Sequence, residues 1–206
     1  MTEAAVKSQS NSLDRLRAAA RTLFVQSGYH NTRPQDIVRE AGVANGTFYI
    51  HFKDKREAFL DFAEQAQNDL LARYTDRLVG ITDQRERWKT IFDTVVDYSV
   101  HHPGLLHAAF FDPVFIAPDD PQAWRLHDRM GHLVALAIGD QDKLDRLAQR
   151  YDVELISHAL CGMLRHGMMY AARKHIDRDQ LITELSKFTD HAFDLTFEAA
   201  LQPKEE

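Results

Sequence analysis

Residues 13–62 read LDRLRAAARTLFVQSGYHNTRPQDIVREAGVANGTFYIHFKDKREAFLDF, and their spacing decides the fold. Leu13, Leu16, Ala20, Leu23 and Phe24 recur three and four residues apart, which predicts a helix over 13–26 with Ser12 as its cap and Gly28 at its end. Ile37, Val38 and Ala41 give a second helix that starts at Asn31, Thr32 or Pro34. Thr32 and Gln35 have capping-box spacing, and Pro34 fits the first turn, where its missing N–H costs nothing. Gly42 breaks that helix and Val43 is the apolar plug of the turn. A third helix follows from Asn45 to about His51. Phe48 and Phe52 are four apart, share one face and belong in the core, which turns Asn45, Thr47, Tyr49 and His51 outward. A tight turn, here EAGVANGTFY, feeding a short polar helix is how a helix-turn-helix offers a recognition helix to a DNA major groove.

Downstream the same periodicity continues. Asp54 sits at a cap position before a fourth helix over about 55–78, with apolar Ala58, Phe59, Phe62, Ala66, Leu70 and Leu71. Lys55 and Arg56 in its first turn oppose the helix dipole, and phosphate binding is a physical reason to tolerate them. Thr82 or Asp83 caps a fifth helix that Pro103 and Gly104 end. A short helix over 105–111 is expected, then a loop, PVFIAPDDP, then a helix over 124–138. GDQDKLDRLAQ is a polar connector with room for a short helix, and two long helices over 152–173 and 179–201 close the chain. No strand alternation persists, so the fold class is all-α.

The 206 residues are 44% hydrophobic and carry a net charge of −6. Residues 1–57 hold nine Lys/Arg against six Asp/Glu, a net of +3, which leaves −9 for the remainder. A basic module on an acidic body keeps attraction for phosphate local. One cysteine, Cys161, excludes an intrachain disulfide framework and fits a cytoplasmic setting. No stretch reaches the roughly 20 apolar residues that span a bilayer. MTEAAVKSQSNS lacks the apolar run of a signal peptide. The expected division is a disordered arm at 1–11, a DNA-binding domain at 12–56, a ligand-binding and dimerisation domain at 57–201, and a tail at 202–206. GxSxG, HExxH and a glycine-rich phosphate loop are all absent, so the sequence does not read as an enzyme.

With AARTLFVQSGYHNT followed by QDIVREAGVANGTFYIHFKDKREAF, the segment resembles the TetR family of transcriptional regulators over about residues 13–62. The resemblance implies an N-terminal three-helix helix-turn-helix domain and a C-terminal helical domain that binds a small molecule and dimerises. It also implies roles by position. Thr47 and Tyr49 match residues that commonly touch DNA, Lys55 and Thr32 match phosphate contacts, and His51 stands where an aromatic residue or histidine is frequent. There are two departures. Ala44 replaces a frequent capping serine, and Arg33 replaces a frequent Ser/Thr and offers a phosphate contact instead. Lys55, Arg33, Thr32 and Tyr49 are thus expected to position the protein on the backbone. Asn45, Gly46, Thr47 and Gln35 are expected to read bases: Asn can pair with adenine, Thr can pack its methyl on thymine, and Gly46 permits close approach.

One module makes too few contacts for specific control, so a homodimer through the last two helices, reading a palindromic double-stranded operator, is expected. Leu155, Ile156, Leu160, Leu164, Leu181, Leu185, Phe188, Ala192, Phe193 and Phe197 supply apolar surface there, with Ser157, Ala159 and Gly162 allowing close approach. A mostly apolar effector would be lined by residues among Trp88, Phe92, His107, Phe110, Phe111, Trp124, His127, Met130, Cys161, His166 and Met169. His101, His102, His107 and Asp112 lack a convincing metal-ligand spacing, and neither metal nor cofactor is expected. The sequence therefore reads as a ligand-released repressor. An activator of the same fold, or a helical protein-interaction module without DNA binding, are the alternatives.

Overall fold

The computed structural model describes residues 3–201, and their side chains over 11–192. Every regular element among the described residues is helical. The chain packs as two compact units, one of residues 1–69 and 102–127, the other of 70–101 and 128–206. Residue 56, where the sequence suggests a domain boundary, lies inside an unbroken helix.

In the first unit, α1 spans Glu3–Asn31, α2 Pro34–Ala41, α3 Thr47–His51, and α4 begins at Lys55 and runs to Leu78. The first helix starts ten residues before Leu13. The expected arm over 1–11 is therefore helical from Glu3 onward, and Ser12 is not a cap. Gly28 (φ 74°, ψ 168°) kinks α1 where the sequence ends it, but one more turn follows. At the start of α2 the cap is Arg33 rather than Thr32. Its backbone N–H donates to the Asp36 carboxylate at 3.2 Å, and Pro34 sits in the first turn as expected. Gly42 takes the left-handed conformation (φ 61°) that closes α2, and Arg15 donates to its carbonyl at 2.8 Å. Asp54 caps α4 through the Glu57 N–H at 2.9 Å.

The core of this unit is aromatic. Phe24 meets Phe59 edge-on at 5.1 Å between centroids, and Phe62 lies 5.7 Å away. Leu16, Ile37 and Phe48 of the same unit are completely buried. Arg17 grips Asp61 with two hydrogen bonds, at 3.0 and 2.7 Å, which staple α1 to α4. That bond raises the Arg17 guanidinium further above its ordinary value, against partial burial.

Residues 102–127 complete the first unit. A turn of π-helix covers His107–Phe111, α6 covers Asp112–Ile116, and α7 starts at Pro121 and ends at Asp128. The expected loop PVFIAPDDP is thus helical in its first half, because Pro113 lies in a first turn that needs no N–H from it.

In the second unit, α5 spans Gln84–His101, α8 Leu133–Ile138, α9 Gln141–Ala148, α10 Val153–Lys174 and α11 Arg178–Leu201. Asp83, not Thr82, caps α5. The single helix expected over 124–138 is divided: a 3-10 turn, Arg129–His132, interrupts it where Gly131 packs against Glu154 and His158. Arg87 closes α8 by donating to the carbonyls of Leu136 and Ala137, and it reaches Ile81 as well, each at 2.8 Å. The Leu136 and Ala137 carbonyls lie in the last turn of α8, where a helix leaves its carbonyls unpaired. Ser157, expected at a subunit interface, is buried and bonds the Val134 N–H at 3.1 Å, so it ties α10 to α8. Asp93 on α5 accepts from Arg77 on α4 and from Arg178 on α11.

Candidate nucleic-acid interface

The turn and α3 sort their side chains sharply. Phe48 and Phe52 are buried, at 0% and 4% exposure, and their rings lie 5.5 Å apart. The opposite side is open: Ala44, Asn45, Gly46, Tyr49 and Ile50 are exposed, and Thr47 is half-buried. Asn45 and Gly46 precede α3 rather than belonging to it, and Gly46 is its cap, so no side chain replaces the missing serine. Arg33 and Gln35 are exposed at the start of α2, and Lys53 is exposed just after α3. The base-reading residues expected from the sequence, Gln35, Asn45, Gly46 and Thr47, thus reach solvent, and so do Arg33 and Tyr49.

Three of the expected contact residues have partners within the subunit. Thr32 is 1% exposed, and its hydroxyl donates to the carbonyls of Gly28 at 2.8 Å and Leu23 at 3.3 Å. That hydroxyl closes the kink in α1, so it is not a phosphate contact. His51 is half-buried, with Nε2 2.8 Å from the Ser12 hydroxyl, and ties α3 to α1. Lys55 lies with Nζ 4.1 Å from the Tyr29 ring centroid and donates to the Tyr29 carbonyl at 2.8 Å. Burial first, then the charge of Arg33, lowers the Lys55 ammonium below its ordinary value. Thr32 braces the kink of α1, His51 ties α3 to α1, and Lys55 ties α4 to α1.

Sequence reasoning missed Ile50, 65% exposed on α3. Its exposure could have been read from the spacing, since it lies two from Phe48 and two from Phe52. It also missed Gln67, which is 4% exposed and donates to the Ala109 carbonyl at 3.1 Å inside the π-helical turn, while its own carbonyl oxygen is buried without a partner. No period in the sequence marks a π-turn.

The effector candidates scatter. Trp88 and Phe92 are fully buried and stacked at 5.8 Å, as core aromatics are. His107 is largely exposed and pairs with Asp112 at 3.2 Å, and its ring meets Phe111 edge-on. Trp124 is 47% exposed and donates to the Pro118 carbonyl, with His127 edge-on beside it. Phe110 is half-buried. The Cys161 thiol lies 3.9 Å from the Met130 carbonyl, and burial pushes it up to about 12, which leaves it a neutral thiol. His166 and Met169 face solvent from α10 and do not line the interior. Among the described residues no three His, Cys, Asp or Glu side chains gather as metal ligands. No helix among them is long and apolar enough to cross a membrane.

Comparison with known proteins agrees with this geometry. Residues 16–61 match the model for bacterial regulatory proteins of the tetR family. The HTH-type transcriptional activator FasR of Mycolicibacterium smegmatis is 30% identical over 86 residues, which are 42% of this chain and 39% of that protein. The chain thus aligns with about two fifths of that relative's length. The fatty acid degradation regulator FadR from Bacillus halodurans superposes with a TM-score of 0.68 at 19% identity, covering 84% of this chain and 92% of that one. A transcriptional regulator FadR from Bacillus subtilis, in complex with stearoyl-CoA, gives 0.63 at 15% identity over 85% and 96% of the two chains. At such identities the likeness speaks to the fold alone. The matched segment carries the helix-turn-helix whose faces are described above, and over residues 16–61 the chain is similar to the tetR family of bacterial regulatory proteins.

Proposed function

We propose that the chain is a ligand-responsive transcriptional repressor that binds a palindromic operator as a homodimer and leaves it when a mostly apolar effector binds. The observation that carries this reading is α3: its two phenylalanines are sunk in the core and its opposite side, with the turn before it, is bare. Asn45, Gly46, Thr47 and Gln35 read base edges in this account. Tyr49 and Arg33 hold phosphates, and Lys55 has further ammonium donors beyond the one given to Tyr29. The functional division follows: residues 12–56 bind DNA and 57–201 bind effector and partner, in the cytoplasm.

The dimer surface is the outer side of the last two helices. On α10, Leu155, Ala159, His166, Met169 and Tyr170 are exposed at helical spacing, and on α11 Phe188 is 61% exposed. Leu160, Leu164 and Leu185 are buried within the subunit and leave that surface. Phe193 and Phe197 lie outside the residues whose side chains are described. Light scattering on Leu155→Glu combined with Phe188→Glu should then give a monomer where the parent gives a dimer.

Stearoyl-CoA in the Bacillus subtilis FadR complex makes long-chain acyl thioesters the first effectors to try. A thermal-shift titration with stearoyl-CoA should raise the melting temperature and lower operator affinity. No shift across a range of acyl chain lengths would reject this effector class. FasR is named an activator, which favours one second reading: the same binding chemistry with the operator placed to recruit polymerase. Transcription in vitro with and without protein separates the two. The assignment of the DNA surface is tested by Thr47→Ala and Tyr49→Ala, each expected to weaken binding to a duplex selected in vitro.

A further inference from the structure

We infer that Ile50 is a base-reading residue whose side chain packs on a thymine C5-methyl group in each operator half-site. The inference rests on the DNA-binding reading above and adds to it a position that the helix-turn-helix motif leaves open. The short helix α3 is TFYIH. Phe48 is buried, Thr47 is half-buried, and half-buried His51 is held by Ser12, so Tyr49 and Ile50 are the α3 side chains that stand clear, at 59% and 65% exposure. Tyr49 has a hydroxyl and can serve a phosphate. Ile50 has only carbon.

A single exposed aliphatic side chain is ordinary on a protein surface and by itself signals nothing. Ile50 differs in its chemistry and its setting. A β-branched residue loses rotamer freedom on a helix, so its place on the open side of a five-residue helix brings α3 no stability. It lies three residues after Thr47 and four after Gly46, hence on the face that those two residues bring to the surface. No large side chain shields it from the N-terminal side, where Ala44, Asn45 and Gly46 are all small or polar and exposed. The segments that bracket it bring exposed cations, Arg33 before α2 and Lys53 after α3. An apolar side chain on a segment whose neighbours along the chain carry exposed cations complements a groove with phosphates along its edges. The apolar group that duplex DNA displays in its major groove is the thymine methyl. The restricted χ1 of isoleucine also means that little rotamer freedom is lost on contact.

The test uses the full chain and a duplex recovered by it from a randomised library. Each symmetry-related pair of thymines is then replaced in turn by deoxyuridine, which removes the methyl and leaves the pairing edge intact. Affinities of the parent and of Ile50→Ala are measured by fluorescence anisotropy. At one thymine per half-site the parent should lose about fourfold for each contacted methyl. Ile50→Ala should bind the thymine duplex with a comparable loss and show no further loss on the deoxyuridine copy. The Tyr49→Ala variant should weaken both duplexes alike. If no thymine has a methyl effect that depends on residue 50, the inference is overturned while the DNA-binding reading stands. If the chain recovers no duplex at all, both fall together.

Discussion

At the scale of single residues, the polar side chains around the recognition element divide into those that face out and those that brace it. Thr32 is a brace. Thr32→Val keeps its shape and removes the donor shared by the Gly28 and Leu23 carbonyls, so stability should fall by about 1 kcal/mol in urea denaturation. Operator affinity of the folded protein should stay close to that of the parent. A phosphate contact would give the reverse pattern. Gly42 is the second case. Its φ of 61° suits glycine, and a Cβ there would come within 2.7 Å of the Arg15 guanidinium. Gly42→Ala should therefore cost about 1–2 kcal/mol, from the backbone strain and from displacing Arg15 from the turn carbonyl. Sequence patterning located these residues but could not assign their roles. A threonine before a helix reads as a cap or a contact equally well. Only the kink at Gly28, which brings two carbonyls under its hydroxyl, decides between them.

At the scale of elements, long periodic segments were legible and their interruptions were not. The start of α2 at Pro34, the cap of α4 at Asp54 and the bounds of α5, α10 and α11 follow from capping residues and apolar spacing to within a residue or two. The break at Arg129–His132 and the π-turn at His107–Phe111 do not, because both follow from packing against distant parts of the chain. Gly131 accommodates Glu154 and His158 of α10, and the Ala109 carbonyl meets Gln67 of α4. The ion network of the second unit was hidden for the same reason, since Arg77, Asp93 and Arg178 are far apart in sequence. Partial burial pushes the Asp93 carboxyl up, but hydrogen bonds from Arg77 and Arg178 outweigh it and hold it below the ordinary carboxylate range. Its contribution to stability is then complete above pH about 4 and is lost as pH falls through the lower, folded-state value. Asp93→Asn should cost about 1 kcal/mol near neutral pH, as befits a partly exposed network. It should also flatten the acid limb of the stability–pH curve. An unchanged acid limb would mean that the pair is not formed in solution.

At the scale of the whole molecule, the account joins a basic module of net charge +3 to an acidic remainder of −9. A single such module offers DNA little charge and few base contacts, so the proposed operator binding calls for two acting together. The exposed stripe on α10 and Phe188 on α11 supply the surface that would bring them together. The sequence supplied the apolar positions of these helices. It could not say which faced inward, because leucines on both sides obey the same period. The effector-binding residues were least legible, since bulky side chains at helical spacing serve a core and a cavity alike, and Trp88 and Phe92 serve the core. The proposed entry of the open side of α3 into duplex DNA, twice per assembly, is open to a salt titration. Binding of the full chain to its in vitro selected duplex is followed by fluorescence anisotropy across a range of salt, beside Tyr49→Ala. The expected result is an affinity that falls linearly on logarithmic axes with salt, and weaker binding at an unchanged slope for Tyr49→Ala, which removes no charge. A parent affinity indifferent to salt, or a Tyr49→Ala curve that overlays the parent's, would contradict it.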